Sequence, residues 1–162
     1  MATTERTLTI HDVVSSEPPV AIRAATAAWF LAVGAGVAES VLGVIDAIRD
    51  GSMPLAAIAA QVGFRAIVYG GLFVVIDKYF RLGRNWSRHL LAGLLGVVGL
   101  ATLLMGPIDW LLTDGDFGSI DLSAGFLGFA AIRGIHVMAV IAAIVLMYQP
   151  DANRWFRAKR QR

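Results

Sequence analysis

The stretch "LAAIAAQVGFRAIVYGGLFVVI", residues 55–76, is a run of apolar and small residues with one charged residue, Arg65, near its middle. Its length matches the roughly 20 residues that an α-helix needs to cross a hydrocarbon core of about 30 Å. Three more runs of this kind flank it, at residues 24–48, 90–112 and 122–148. Four spans in 162 residues predict an all-α membrane protein, a four-helix transmembrane bundle.

The composition also separates this chain from soluble domains. Hydrophobic residues make up 57% of it, against about 45 to 50% in soluble domains. The first run is longer than the roughly 7 to 15 residues of a signal-peptide core, so we expect it to be retained as a helix. The chain then divides into a polar N-terminal segment (1–22), a transmembrane domain (23–149) and a basic C-terminal tail (150–162).

The basic residues are distributed unevenly around these runs. Eleven of the 14 Lys and Arg residues lie before the first run, in the loop between the second and third runs, or in the tail. The other two loops together hold one, Arg49, and the third loop carries Asp114, Asp116 and Asp121. Because Lys and Arg concentrate in cytoplasmic loops, this bias predicts a multi-pass protein of the bacterial plasma membrane with both termini in the cytoplasm.

Two segments that close the first and third runs are similar. Both "GVIDAIRDG" (43–51) and "GPIDWLLTDG" (106–115) contain Gly, then Ile-Asp, then Asp-Gly. The matching polar residues are Asp46 with Asp109, Arg65 with Arg133, and Asn85 with Asn153. We therefore predict two tandem helical hairpins that form a parallel repeat about an axis along the membrane normal.

Ionisable residues within the runs are the candidate site. An ionised group at the bilayer centre costs about 2.5 to 3.5 kcal/mol on insertion scales, so such residues should face the bundle interior and pair. Glu39 and Arg65 have similar depths, so we expect Arg65 to pair with Glu39, and also with Asp46. The repeat predicts that Arg133 pairs with Asp109.

These pairs have two interpretations. They lock the helices in register, or they form a proton relay, an anion site or an ion pathway. His136 shares a helix face with Arg133 because it follows three residues later. It is either a hydrogen-bonded packing residue or a group that relays protons near neutral pH.

Other chemistry has little support in the sequence. The chain has no cysteine, which excludes disulfides, thiolate metal sites and cysteine nucleophiles. We find no metal-ligand spacing, no cofactor motif and no clear pairing of a nucleophile with a base, although Ser123 and His136 stay open on sequence alone. We therefore predict a non-enzymatic protein without a metal or cofactor.

The loop between the second and third runs and the tail combine arginines with aromatic residues. The tail pattern is also known from nucleic-acid and calmodulin-type targets. Directly after a span, however, it favours anchoring to anionic lipid headgroups, and we predict no nucleic-acid partner. The candidate residues for lipid or partner docking are Arg81, Arg84, Asn85, Trp86, Arg88, Trp155 and Arg157.

The segment "FRLGRNWSRHLLAGLLGV" (80–97) resembles a group of small actinobacterial four-span membrane proteins with an inner loop of the form R-x-G-R-N-W-A/S-R. The matching residues are Arg81, Gly83, Arg84, Asn85, Trp86, Ser87 and Arg88. A tail with an asparagine and aromatic residues after the last span is a second likeness, here at Asn153, Trp155 and Phe156. The resemblance implies a fold and a location, but no activity.

Two functions are compatible with these patterns. The first is a non-enzymatic accessory or scaffold protein that contacts anionic lipid and either a second copy of itself or another membrane protein. The second is a small proton- or ion-linked transporter or channel that uses Glu39, Arg65, Arg133 and His136.

Overall fold

The structure, a computed structural model, describes residues 17–119 and 122–160. Five helices account for most of them: α1 (Val20–Arg49), α2 (Leu55–Phe80), α3 (Asn85–Thr113), α4 (Ala124–Met147) and α5 (Pro150–Arg160). The first four are long and apolar enough to cross a membrane, which confirms the predicted all-α four-helix membrane bundle. Residues 1–16 of the predicted polar segment, Asp121 of the third loop, and the last two residues of the tail lie outside the described residues.

Three of the long helices extend beyond the apolar runs that predicted them. α1 begins four residues early, α2 continues to Phe80, and α3 begins five residues early. A helix satisfies its own backbone hydrogen bonds, so it need not stop where the apolar run stops. α4 instead begins two residues late, at Ala124. The Ser123 hydroxyl accepts a hydrogen bond from the Phe126 amide at 3.3 Å and caps this helix.

The helices do not pack equally. α1 and α4 form the central pair and pack along each other, while α2 packs on α1 and α3 packs on α4. α2 and α3 meet chiefly beside α5, through residues 75–80 and 85–91. The bundle is therefore closed at the end that carries α5, called the α5 end below. It is open at the opposite end, called the far end, which holds the loops that follow α1 and α3.

The apolar core lies at the α5 end. All buried residues of α1 fall between Ala21 and Gly36, and those of α4 fall between Ala139 and Met147. The largest fully buried side chains include Trp29, Phe80, Phe156, Ile76 and Leu91. Toward the far end large apolar side chains are exposed instead, among them Val41, Ile45, Phe64, Ile67, Met105, Ile108 and Phe126. Lipid chains would cover such surfaces in a membrane.

Two segments wind as π-helix, Val75–Phe80 within α2 and Ala92–Gly99 within α3. The second contains Gly96, whose missing side chain admits Ile144 of α4. A Cβ at Gly96 would lie 2.7 Å from Ile144 Cδ1. The small residue at this position therefore allows α3 to approach α4 closely.

The paired Asp-Gly segments of the predicted repeat are equivalent helix ends. α1 and α3 end at the far end with Asp50 and Asp114 in the capping position. Gly51 and Gly115 follow with φ values of 59° and 58°. Because side chains disfavour this left-handed conformation, glycine commonly terminates a helix in this way. The similarity thus has a local structural cause, while the duplication itself stays a prediction.

Candidate functional site

A carboxylate between two bases joins the central helices. The Glu39 carboxylate of α1 has one contact at each oxygen. Arg133 Nη2 lies 3.3 Å from Oε2, and His136 Nδ1 lies 3.2 Å from Oε1. The Glu39 and His136 side chains are 10% and 12% exposed, and Arg133 is 31% exposed. Both carboxylate oxygens therefore have a partner from α4, and the group is largely shielded from solvent. We call Glu39, Arg133 and His136 the Glu39 cluster.

Small residues on α1 make room for this cluster. Gly36 lies one helical turn before Glu39 and Ser40, on the same face. A Cβ at Gly36 would lie 3.1 Å from His136 Cε1 and 3.4 Å from the ring of Tyr69. A side chain at this position would therefore push against rings from both α4 and α2.

Tyr69 extends the polar contacts from α1 to α2. Its hydroxyl lies 2.8 Å from Ser40 Oγ and donates to the Gly36 carbonyl oxygen at 3.0 Å, while Ser40 Oγ approaches the same carbonyl oxygen at 2.7 Å. Each of the two hydroxyls has one proton to donate. Only two of these three contacts can therefore be hydrogen bonds at any one time. Sequence reasoning did not select Tyr69, although a tyrosine in the middle of a span is a signal for a buried hydrogen bond.

Arg133 also contacts α3 and its own helix. Its Nη1 lies 3.5 Å from the Leu103 carbonyl oxygen, and its guanidinium carbon lies 4.7 Å from the centre of the Phe129 ring. The Arg133 Nε is buried and has no hydrogen-bond partner among the described residues. This side chain thus connects α1, α3 and α4.

The predicted pairing of Glu39 with Arg65 is wrong. Arg65 makes no side-chain hydrogen bond or ion pair within the described residues, and Asp46 is exposed. Counting from the far end of each helix at 1.5 Å per residue, Glu39 and Arg65 lie about 15 Å deep and Arg133 about 14 Å deep. Depth therefore does not choose between the two arginines. The close packing of α1 on α4 makes that choice.

The predicted pairing of Asp109 with Arg133 is also wrong. Asp109 is exposed near the far end of α3. Arg133 instead reaches α3 at Leu103, six residues deeper. At 1.5 Å per residue this places Asp109 about 9 Å too close to the far end.

A second polar centre, the Arg88 junction, lies at the α5 end. Arg88 of α3 is 5% exposed, and its Nη2 donates to the Met147 carbonyl oxygen at 2.8 Å and to Asn153 Oδ1 at 2.5 Å. Its Nη1 lies 3.5 Å from Asn85 Oδ1. Its guanidinium carbon lies 4.7 Å and 4.5 Å from the ring centres of Tyr148 and Phe156. Arg88 was predicted as a residue for lipid or partner docking, and most of its surface contacts the last span and α5 of this same chain.

The rest of the loop motif also receives α5. Gly83 has a φ of 82°, and a Cβ there would lie 2.9 Å from Lys159 Cγ and 3.1 Å from Trp155 Cη2. Trp155 is 8% exposed, and the Phe156 ring centre lies 5.6 Å from that of Phe80. The prediction that Trp155 anchors at the lipid interface is therefore wrong, because this ring packs inside the protein. The loop motif and the tail motif therefore pack against each other within the chain.

The other predicted docking residues have varied environments. Arg81 donates to Asp77 at 2.6 Å, and Asn85 is half-buried beside Arg88. The exposed ones are Arg81, Arg84, Trp86 and Arg157. Two of these four have partners within the chain, since Arg81 pairs with Asp77 and the Trp86 ring centre lies 5.0 Å from that of Tyr79.

Within residues 17–119 and 122–160, no three His, Cys, Asp or Glu side chains gather as a metal site would require. Comparison of the chain with protein-family models, curated proteins and solved structures found no match. The resemblance to small actinobacterial four-span proteins therefore stays a prediction.

We predict that Arg133→Gln lowers the free energy of unfolding by about 1 to 3 kcal/mol, because it leaves the shielded Glu39 carboxylate without its cation. The loss is below that for a fully buried pair since Arg133 is partly exposed. Arg65→Gln serves as the matched control and should cost less than half as much. A double-mutant cycle with Glu39→Gln in detergent measures both couplings. A larger coupling of Glu39 to Arg65 than to Arg133 would contradict the observed pairing.

We predict that Arg88→Lys loosens α5. Lysine keeps the charge but lacks the planar fork that contacts Asn153 and Asn85 together. Trypsin should then cleave within α5 about tenfold faster, which corresponds to roughly 1.4 kcal/mol of opening free energy. Arg84→Lys is the control, because Arg84 lies four residues before Arg88 and is exposed. Equal cleavage rates in the two variants would mean that Arg88 does not hold α5.

Proposed function

We propose that this chain is a non-enzymatic accessory or scaffold protein of a bacterial plasma membrane. The observation that carries the proposal is the Glu39 cluster, in which both carboxylate oxygens are bound by groups of the same chain. A group that passes ions has to exchange partners during each cycle, whereas this carboxylate is shielded and fully engaged. Such closed contacts between helices suit a protein whose role is to keep a defined shape in the membrane.

The small-residue faces support the same proposal. Small residues repeat at four-residue spacing in three stripes: Ala32-Gly36-Ser40, Ala92-Gly96 and Ala124-Gly128. Ala32 and Gly36 are buried in α1, and Gly96 receives Ile144, so the first two stripes serve internal packing. The third stripe, at Ala124 and Gly128, is exposed, and a Cβ at Gly128 would meet nothing within 4 Å. Surface of this kind is open to lipid, to a second copy or to another membrane protein.

The proposed orientation has both termini in the cytoplasm. It is supported by the positive-inside bias and by the grouping of the α2–α3 loop with α5 at one end of the bundle. An alkaline phosphatase fused after residue 162 should be inactive, and the same enzyme fused after residue 51 should be active. The reverse pattern of activity would overturn the orientation.

A proton-linked transporter is the second candidate, and one observation favours it. His136 uses Nδ1 to bind Glu39, while its Nε2 has no hydrogen-bond partner among the described residues. The neighbouring hydroxyls of Tyr69 and Ser40 could pass protons from the same region of the bundle.

Purified protein in liposomes with an imposed pH gradient separates the two candidates. The scaffold proposal predicts that the gradient decays within about twofold of the rate in protein-free liposomes, because the closed cluster offers no path. Glu39→Gln should then lower thermal stability without changing the leak. Decay that Glu39→Gln abolishes would establish the transporter instead, provided that Asp46→Asn, an exposed control on the same helix, leaves it intact.

A further inference from the structure

A cavity of about 410 Å³ lies where α5 meets the start of α3. It is lined by Arg88, Pro150, Asn153, Arg154 and Arg157. Three of these five residues are arginines, and none is acidic. The cavity therefore concentrates positive charge at one place on the surface of the bundle.

The charge of Arg88 is not balanced by an acid. Its hydrogen-bond partners among the described residues are a backbone carbonyl and two side-chain amides. Its other close neighbours are the rings of Tyr148 and Phe156. A cation that is 5% exposed normally has a counter-ion, since burying an unpaired charge is costly. No acidic side chain among the described residues supplies this counter-ion to Arg88.

The two other arginines differ in their charge balance. Arg154 pairs with Asp151, whose carboxylate offsets its charge. Arg157 is exposed and forms no ion pair with a described residue. Arg88 and Arg157 thus leave a positive excess at the cavity, and arginine is well suited to bind phosphate oxygens through its planar fork.

We propose that this cavity binds the phosphate group of an anionic glycerophospholipid. The site rests on the proposed membrane placement, because α5 follows the last span after two residues and would lie at headgroup level. Basic pockets between membrane helices bind anionic lipid headgroups by this chemistry.

An apolar path for the acyl chains begins at the same place. Tyr148 lies under the Arg88 guanidinium, and Val145 and Ile141 precede it on the same face of the last span at spacings of three and four residues. All three side chains are exposed. A lipid whose phosphate contacts Arg88 and Arg157 can therefore place an acyl chain against this stripe. Inorganic phosphate has no acyl chain and lacks this contact.

The test measures binding of dioctanoyl phosphatidylglycerol to the purified full-length chain in neutral detergent, by thermal shift and tryptophan fluorescence. Dioctanoyl phosphatidylcholine and inorganic phosphate are the comparison ligands. We expect saturable binding of phosphatidylglycerol and at least tenfold weaker binding of the other two. Arg157→Gln should weaken phosphatidylglycerol binding about tenfold, because it removes a charged phosphate contact from an exposed residue that does not hold the fold.

The matched control is Arg160→Gln, which removes the same charge from an exposed position of α5 that does not line the cavity. It should change the affinity by less than twofold. Equal weakening by both variants would show diffuse surface attraction and overturn the site, as would a lack of saturable binding. Equal binding of inorganic phosphate would overturn the lipid assignment. Because no gradient is involved, each of these failures is distinguishable from failure of the scaffold proposal.

Discussion

A carboxylate placed inside a membrane span needs partners, and the way Glu39 meets this requirement determines the arrangement of the bundle. Arg133 and His136 supply those partners from one helix, so α1 and α4 become the central pair. Gly36 leaves room for the His136 ring to reach the carboxylate. Arg133 also reaches the backbone of α3, and Tyr69 joins α2 to the same region of α1. All four spans are thereby tied to one polar layer.

The α5 end is held by a second set of contacts of different character. Arg88 binds neutral acceptors from the start of α3, the last span and α5, and its guanidinium lies against aromatic rings. This arrangement docks an amphipathic helix onto the bundle and closes the apolar core around Phe80 and Phe156. It also leaves a buried cation without an acid, which connects the internal architecture to the proposed lipid site. The open far end, in contrast, depends on lipid to cover its apolar side chains.

The matched residues of the two halves do not all have equivalent structural roles. The Asp-Gly segments perform the same task, because Gly51 and Gly115 end their helices in the same left-handed conformation. Asn85 and Asn153 both contact Arg88, so this matched pair meets at one site. The two matched arginines do not share a role, since Arg133 joins the Glu39 cluster and Arg65 does not. Equivalent positions along a chain thus acquired different neighbours.

The sequence by itself determined the four spans, the approximate depth of each residue within them, and the presence of charged residues inside them. These properties follow from apolar run length and helical rise, which are local and additive along the chain. Only the tertiary structure decided which arginine meets Glu39, because Arg65 and Arg133 lie at the same depth on different helices. It also decided that Trp155 and Arg88 are buried, although their sequence context resembles a lipid-facing surface. Lateral packing between helices depends on small residues such as Gly36 and Gly83 acting across distant segments, and no local pattern encodes that choice.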